Sequence, residues 1–290
     1  MKKIFWWIVV GLGVLILGGY FARWFSGELP VQPVAFTIGK IKVYWYGIFA
    51  TLGAIAGYYL LVKRVARYSL VESSLPVLAF FLILAGLLGA RLGYVVQNWD
   101  YFGHHPSEIF FTWRGGLTFY GAVIAGILTV LGYSWRTKKD PWRLLDFFAP
   151  ALLLGLAIGR FGNFFNQEIY GYPTDLPWRM FVAPEFRLAQ FRQFEYFHPV
   201  FLYEAIPVLL LLVMVLWLEK RNPAKGIIFL TVIVGYALIR FGVEFFRIGE
   251  KISGNLTLAQ LVSAGIFLLG TAILVRQIRF FSRSKFPNKG

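Results

Sequence analysis

Residues 200–218 read VFLYEAIPVLLLLVMVLWL, 19 positions with a single ionisable side chain, Glu204. A helix of that length covers about 28 Å, close to the ~30 Å hydrocarbon thickness of a bilayer. Seven further stretches of the same kind lie along the chain, at residues 4–22, 43–62, 75–96, 117–135, 144–164, 226–246 and 256–275, separated by short polar or basic linkers. Backbone groups in lipid must find partners within the segment, so runs this long predict helices and not strands. The expected fold is therefore all-α, a polytopic helical integral membrane protein with about eight transmembrane helices.

Composition agrees. Of 290 residues, 58% are hydrophobic and 15% charged, against roughly 25% charged in soluble domains. The chain has no cysteine, which excludes a disulfide scaffold, a thiolate metal site and a catalytic thiol of its own. The net charge of +15 points to an anionic bilayer surface as partner and not to nucleic acid.

Lys and Arg set the orientation. With a cytoplasmic N-terminus, 17 of the 29 fall on the cytoplasmic side and 9 outside, while Arg91, Arg160 and Arg240 lie within or at the edge of spans. Both termini are thus expected in the cytoplasm, and the aromatic-rich loop 165–198 on the outer side. The first span, behind Lys2 and Lys3, reads either as a cleaved signal peptide or as an uncleaved anchor. Its exit, GGYFARWF (residues 18–25), lacks a small-x-small site and favours the anchor. The expected division is an N-terminal anchor span at 1–25, a membrane domain at 26–276 and a basic cytoplasmic tail at 277–290, with no linker or repeat splitting the membrane domain.

An ionisable side chain at bilayer depth costs on the order of 3 kcal/mol, so each one calls for a partner or a ligand. One cluster is GRFGNFFNQEIYG, residues 159–171. Arg160 and Asn163 share a helix face. Asn166 and Glu168 would point apart on a continuing helix, so the helix is expected to break near Asn166, which at that depth implies a protein-lined cavity. The second is YALIRFGVEFFR, residues 236–247, which sets Tyr236, Arg240, Glu244 and Arg247 along one helical stripe. Arg240 and Glu244 would neutralise each other within the helix; alternatively, buried arginine in surplus, counting Arg91 as well, implies an anionic ligand, and the guanidinium fork suits a phosphate.

Other features carry less. His198, before Pro199, reads as a base or as a cap of the following helix, and Glu204 as a structural partner for a membrane arginine. His104 and His105 read as solvated loop residues, and Trp99, Trp113, Trp135 and Trp178 as interfacial anchors. HExxH, GxSxG and Walker motifs are absent from the sequence. Three histidines without cysteine give no transition-metal signature, so no metal and no cofactor are expected.

GRFGNFFNQEIYG resembles the signature of the prolipoprotein diacylglyceryl transferase family of bacterial membrane enzymes. VYWYGIFA (43–50), GARLGYV (89–95), RGGLTFYGAVIAG (114–126), HPVFLYEA (198–205) and YALIRFGVEFFR resemble further family segments in the family's order, so the resemblance covers residues 33–275. It implies transfer of diacylglyceryl from phosphatidylglycerol to the lipobox cysteine thiol of a preprolipoprotein signal peptide, with release of glycerol phosphate, at the outer side of the bacterial cytoplasmic membrane. It implies Arg160 as phosphate ligand, Asn163, Glu168 and Gly171 around the pocket, Tyr236 and Arg240 as a second pair, and Tyr46 from the family's first span. Asn166, Glu244 and Arg247 complete the binding set, and Glu168 or His198 is the expected acceptor of the thiol proton. Two departures stand out. Many members have histidine, often proposed as the base, where this chain has Tyr120; tyrosine with a pKa near 10 is a poor base at neutral pH, so either the base lies elsewhere or Tyr120 orients the lipid as part of the catalytic set and the thiol is deprotonated another way. The span at 4–22 also precedes the seven-span core. A non-catalytic relative, or a transporter or binder of an anionic lipid, would share the arginines and differ in forming no product.

Overall fold

A computed structural model describes residues 18–68, 70, 74–112 and 115–285. Residues 18–26 are helical (α1); most of the span expected at 4–22 lies outside the described residues. A hairpin follows, β1 (Val34–Ile38) with β2 (Ile41–Tyr44), and then the long helices α2 (Trp45–Arg64) and α3 (Leu75–Gln97). After the single turn α4 (Trp99–Phe102) come α5 (Phe119–Thr137) and α6 (Pro141–Phe165). The loop beyond α6 holds the two-residue strands β3 (Met180–Phe181) and β4 (Tyr196–Phe197), paired antiparallel. The chain ends with α7 (Val200–Glu219), α8 (Ile227–Val243), the hairpin β5 (Lys251–Ser253) with β6 (Leu256–Thr257), and α9 (Leu258–Lys285). Five of these helices are long and apolar enough to cross a membrane, and α8 is a shorter apolar helix. The architecture is that of a polytopic helical membrane protein.

Span ends differ from the sequence reading where hairpins intrude. Val43 and Tyr44 belong to β2, and Leu256 and Thr257 to β6. Apolar β-branched residues beside a glycine turn pair as strands there, with Gly39 at φ 60° and Gly254 at φ 58° supplying the left-handed backbone. Leu117 and Thr118 precede α5 because the Thr118 amide is taken by the Ala90 carbonyl at 2.9 Å. α8 ends early as its bonds tighten: Glu244 N–H still reaches Arg240 four residues back, but Phe245, Phe246 and Arg247 bond three residues back. At the other end α9 continues to Lys285, ten residues past the expected 275.

The chain forms two compact units, each assembled from three segments. One comprises Met1–Ile55, Leu153–Met214 and Val232–Ile273. Its core gathers Phe164, Phe165, Tyr170, Met180, Val182, Phe197 and Phe201. The described end of the N-terminal helix packs on that core, with the Phe21 ring centroid 5.0 Å from that of Phe164. The other unit comprises Ala56–Leu152, Val215–Thr231 and Leu274–Gly290. There Gly89 and Gly93, on one face of α3, meet Gly121 of α5 so closely that a side chain at any of the three would collide, the close approach that small residues permit between membrane helices.

Candidate functional site

The site is built in the first unit, at the end of α6. The helix stops at Phe165, and the chain turns through Gln167 at φ 52° and Ile169 at φ 55°. A β-branched residue in that region is strained, and such strain persists only when its surroundings fix it. Gln167, 2% exposed, supplies part of that fixing: its amide accepts the Ala183 N–H at 2.8 Å and reaches the Phe181 carbonyl at 3.4 Å. The Tyr170 hydroxyl donates to the Phe186 carbonyl at 2.9 Å and accepts the Leu188 amide at 2.7 Å. The break folds Glu168 back so that its Oε1 accepts from Asn163 Nδ2 at 2.9 Å and Asn166 Nδ2 at 3.2 Å.

One turn earlier on α6, Arg160 Nη1 donates to Asn163 Oδ1 at 3.2 Å, and its Nη2 lies 2.5 Å from Glu204 Oε1 of α7. The Tyr236 hydroxyl of α8 donates to that same Glu204 oxygen at 2.8 Å. Farther along the α8 stripe, Arg240 Nη1 lies 2.8 Å from Glu244 Oε2, a close ion pair at an angle that makes no hydrogen bond. Arg247 Nε is 3.7 Å from the same oxygen. The other Glu244 oxygen accepts the Thr257 hydroxyl at 3.1 Å. Three guanidiniums thus share two buried carboxylates, and Glu168, which is exposed, meets Arg160 only through Asn163. Burial and then the neighbouring Arg240 push the Arg247 guanidinium below its ordinary pKa.

Hydrogen-bond accounting singles out the same place. Of seven buried side-chain polar atoms without a partner among the described residues, five lie here: Arg160 Nε, Asn166 Oδ1, Glu204 Oε2, Arg240 Nη1 and Glu244 Oε2. Orphaned buried polar groups are rare and costly in native proteins. Arg240 Nη1 and Glu244 Oε2 still face each other as the 2.8 Å ion pair, which leaves Arg160 Nε, Asn166 Oδ1 and Glu204 Oε2 as the atoms here with neither a hydrogen bond nor an ion pair among the described residues.

The remaining sequence candidates fall around it. The α-carbon and ring of Tyr46 lie against Gly162, where a side chain would meet them at 2.8–3.1 Å. Gly171 sits where a Cβ would meet His198 Cβ at 2.7 Å and Val200 Cγ2 at 2.9 Å. The loop is stitched there: the Gly171 amide bonds the His198 carbonyl at 3.0 Å, the Tyr172 amide the Phe246 carbonyl at 3.0 Å, and Gly171 bridges Arg247. His198 does not cap α7 with its ring. Its Nδ1 is 3.0 Å from the Tyr203 hydroxyl, which also accepts Trp178 Nε1–H at 2.7 Å, and burial lowers the pKa of the His198 imidazole. Trp178 is thus a hydrogen-bond partner and not only an anchor.

Glu204 is the structural partner for a membrane arginine that the sequence suggested. Its double duty toward Tyr236, and the Trp178–Tyr203–His198 chain, had no signal in the sequence beyond the clustering in HPVFLYEA. Two candidates belong to the other unit. Tyr120 is the second residue of α5 in the other unit, 43% exposed. Arg91, also in that unit, does not join the cationic surplus: it is caged by the carbonyls of Glu108, Ile109, Gly115 and Gly116 at 2.6–3.1 Å.

Fold and site together define a polytopic helical membrane protein in which three arginines gather on two buried glutamates. The sequence profile of the prolipoprotein diacylglyceryl transferases matches residues 33–276, and the chain belongs to that family, a family of transferase enzymes. A protein of Fervidobacterium nodosum named phosphatidylglycerol–prolipoprotein diacylglyceryl transferase is 37% identical over 276 residues, 93% of this chain and 94% of its own. One so named from Acaryochloris marina is 39% identical over 244 residues, 82% of this chain and 89% of its own. One from Thermotoga maritima is 36% identical over 278 residues, at 93% and 94%.

Proposed function

We propose that this enzyme transfers the diacylglyceryl group of phosphatidylglycerol to the lipobox cysteine of a preprolipoprotein, at the outer face of the bacterial cytoplasmic membrane with both termini inside. The observation that carries the reading is the cluster of Arg160, Arg240 and Arg247 against Glu204 and Glu244, with Arg160 Nε unpartnered among the described residues. The names of the relatives supply the substrate pair.

The cysteine sulfur attacks the glyceryl carbon that bears the phosphate. A sulfur–carbon bond forms as the carbon–oxygen bond breaks, and the bonding electrons leave on the phosphate oxygen as glycerol phosphate. Charge grows on the departing phosphate, so arginines aimed at it stabilise the transition state more than the ground state. The thiol, with a pKa near 8.5, gives its proton to a base. We assign Glu168, whose carboxylate is exposed and oriented by Asn163 and Asn166.

The test uses purified protein in phosphatidylglycerol nanodiscs with a lipobox peptide, and mass spectrometry of the peptide. A diacylglyceryl adduct on cysteine that is lost in Arg160→Gln supports the reading. Lipid that stays bound but chemically unchanged, with a family member active in parallel, overturns it in favour of a non-catalytic relative.

A further inference from the structure

The arginines explain where an anion binds, but arginine has only donors to offer. The cluster also holds buried acceptors without partners among the described residues, and chief among them is Glu204 Oε2. Glu204 is 1% exposed, and both of its described contacts, from Arg160 and from the Tyr236 hydroxyl, go to Oε1. An ionised carboxylate only accepts, so Oε2 is satisfied by a donor alone. A phosphodiester anion has none. The donor must come from another part of a molecule whose phosphate lies on Arg160.

Two donors are available in the proposed reaction: the incoming thiol and the hydroxyls of the glycerol headgroup. Displacement at carbon separates them. Nucleophile and leaving oxygen occupy opposite faces of the reacting carbon, with orbitals in line. A carboxylate held 2.5 Å from the arginine that takes the phosphate stands on the leaving-group side, away from the thiol and beside the headgroup.

We propose that Glu204 is the specificity residue for the headgroup, its Oε2 accepting a hydrogen bond from a glycerol hydroxyl while Oε1 holds Arg160 and Tyr236. The inference rests on the transferase reading above. Sites built to bond a substrate hydroxyl reject analogues lacking it, because the buried group is then left unpaired. Choice among anionic phospholipids thus comes from a carboxylate and not from the arginines, which bind all of them.

The experiment compares phosphatidylglycerol with phosphatidylpropanol, equal in charge and lacking both headgroup hydroxyls, in nanodiscs with a lipobox peptide. In the native enzyme kcat/KM falls at least tenfold for the propanol lipid. In Glu204→Gln the rate on phosphatidylglycerol drops and the ratio between the lipids moves toward one. A purely structural Glu204 would lower both rates and leave the ratio standing, and that result, or a native ratio near one, overturns the proposal. If Glu204→Gln makes no product, the same preference is read as protection from thermal unfolding by glycerol phosphate against propyl phosphate. Native protein favours glycerol phosphate and the variant does not; equal protection of native protein, or a preference kept by the variant, overturns the assignment. No adduct from either lipid with native enzyme counts against the transferase reading, and the protection assay still decides the role of Glu204.

Discussion

Each compact unit contains a buried arginine–glutamate pair, and the two are built differently. Arg64, 6% exposed, sends Nε to both oxygens of Glu219 at 3.1 and 3.2 Å and Nη2 to Oε1 at 2.6 Å. Its remaining donors go to the Tyr68 hydroxyl and the carbonyls of Asp146 and Phe147. Tyr68 in turn donates to Glu219 at 2.7 Å. One cation meets one anion, and no atom of either is among the buried groups lacking partners. Around Arg160 and Arg240, three cations meet two anions, and Arg160 Nε, Asn166 Oδ1 and Glu204 Oε2 lack partners among the described residues. A buried ion pair is therefore no sign of function by itself. Stoichiometry and unmet hydrogen bonds set the second cluster apart from a saturated structural clamp.

Substitution of each arginine is the strongest way to break this comparison. Arg160→Gln removes a donor that strengthens as charge develops on the leaving phosphate, and such donors are worth ~10²–10³-fold in turnover. Turnover should fall by about that much or more, and the melting temperature in detergent should fall as well, because Arg160 is the cation paired with buried Glu204. Arg64→Gln should lose stability alone. Removing one partner of a saturated buried pair costs about 3–5 kcal/mol, read as a lowered melting temperature, and the folded fraction should turn over normally. If both variants lost stability alike and Arg160→Gln kept its rate, the distinction would collapse.

Gly171→Ala sharpens the comparison by loosening one cluster only. The added methyl would press on His198, Val200 and the Phe246 carbonyl, at a cost of about 1–3 kcal/mol for overpacking. The strain falls where Gly171 bridges Arg247, so turnover should drop about tenfold through the shift of that arginine, a 1 Å misplacement being enough for ~10²-fold. An unchanged rate would show that Arg247 is dispensable.

What the sequence revealed of these clusters follows from range. Offsets of three and four within one helix placed Arg160 with Asn163, and Tyr236 with Arg240, Glu244 and Arg247, because helical geometry is local. The exit of α6 was legible from Asn166 and Glu168, which a continuing helix would have set apart. The Arg64–Glu219 pair, 155 residues apart, left no periodic trace and passed as a cytoplasmic-side charge. Arg91 was legible as a buried arginine but not as a satisfied one, since its partners are backbone carbonyls, which every residue carries. The hairpins at both ends of the spans hid because β-branched residues such as Ile41 and Val43 extend the apolar signal past the helix.

Tyr120 belongs to the unit that holds Arg64, and its hydroxyl tests whether chemistry is confined to the arginine-rich unit. A general base contributes ~10²–10⁴-fold. If Glu168 takes the thiol proton, Tyr120→Phe should lose far less than that and Tyr120→His should remain active, both read as adduct formed per minute. A loss of the full magnitude in Tyr120→Phe would move the proton acceptor to α5.

Asp140 and Lys225 give the smallest effect and the control for burial. They lie 2.7 Å apart with side chains 31% and 51% exposed. Partial burial pushes the Asp140 carboxyl up, but the Lys225 hydrogen bond and the backbone N–H groups of Arg143 and Trp142 outweigh it and hold it below its ordinary value. A lowered carboxylate pKa means that the folded state binds the proton less readily than the unfolded one. The stabilisation is therefore complete above about pH 4 and is lost as pH falls through the folded value. Exposed pairs are worth ~0–1 kcal/mol and weaken in salt, so Lys225→Ala should lower stability by no more than that at neutral pH, by less at high ionic strength, and hardly at all once the pH has fallen through the lowered value of folded Asp140. A loss matching that of Arg64→Gln would mean that solvent does not screen this pair, and exposure could no longer be used to rank the three.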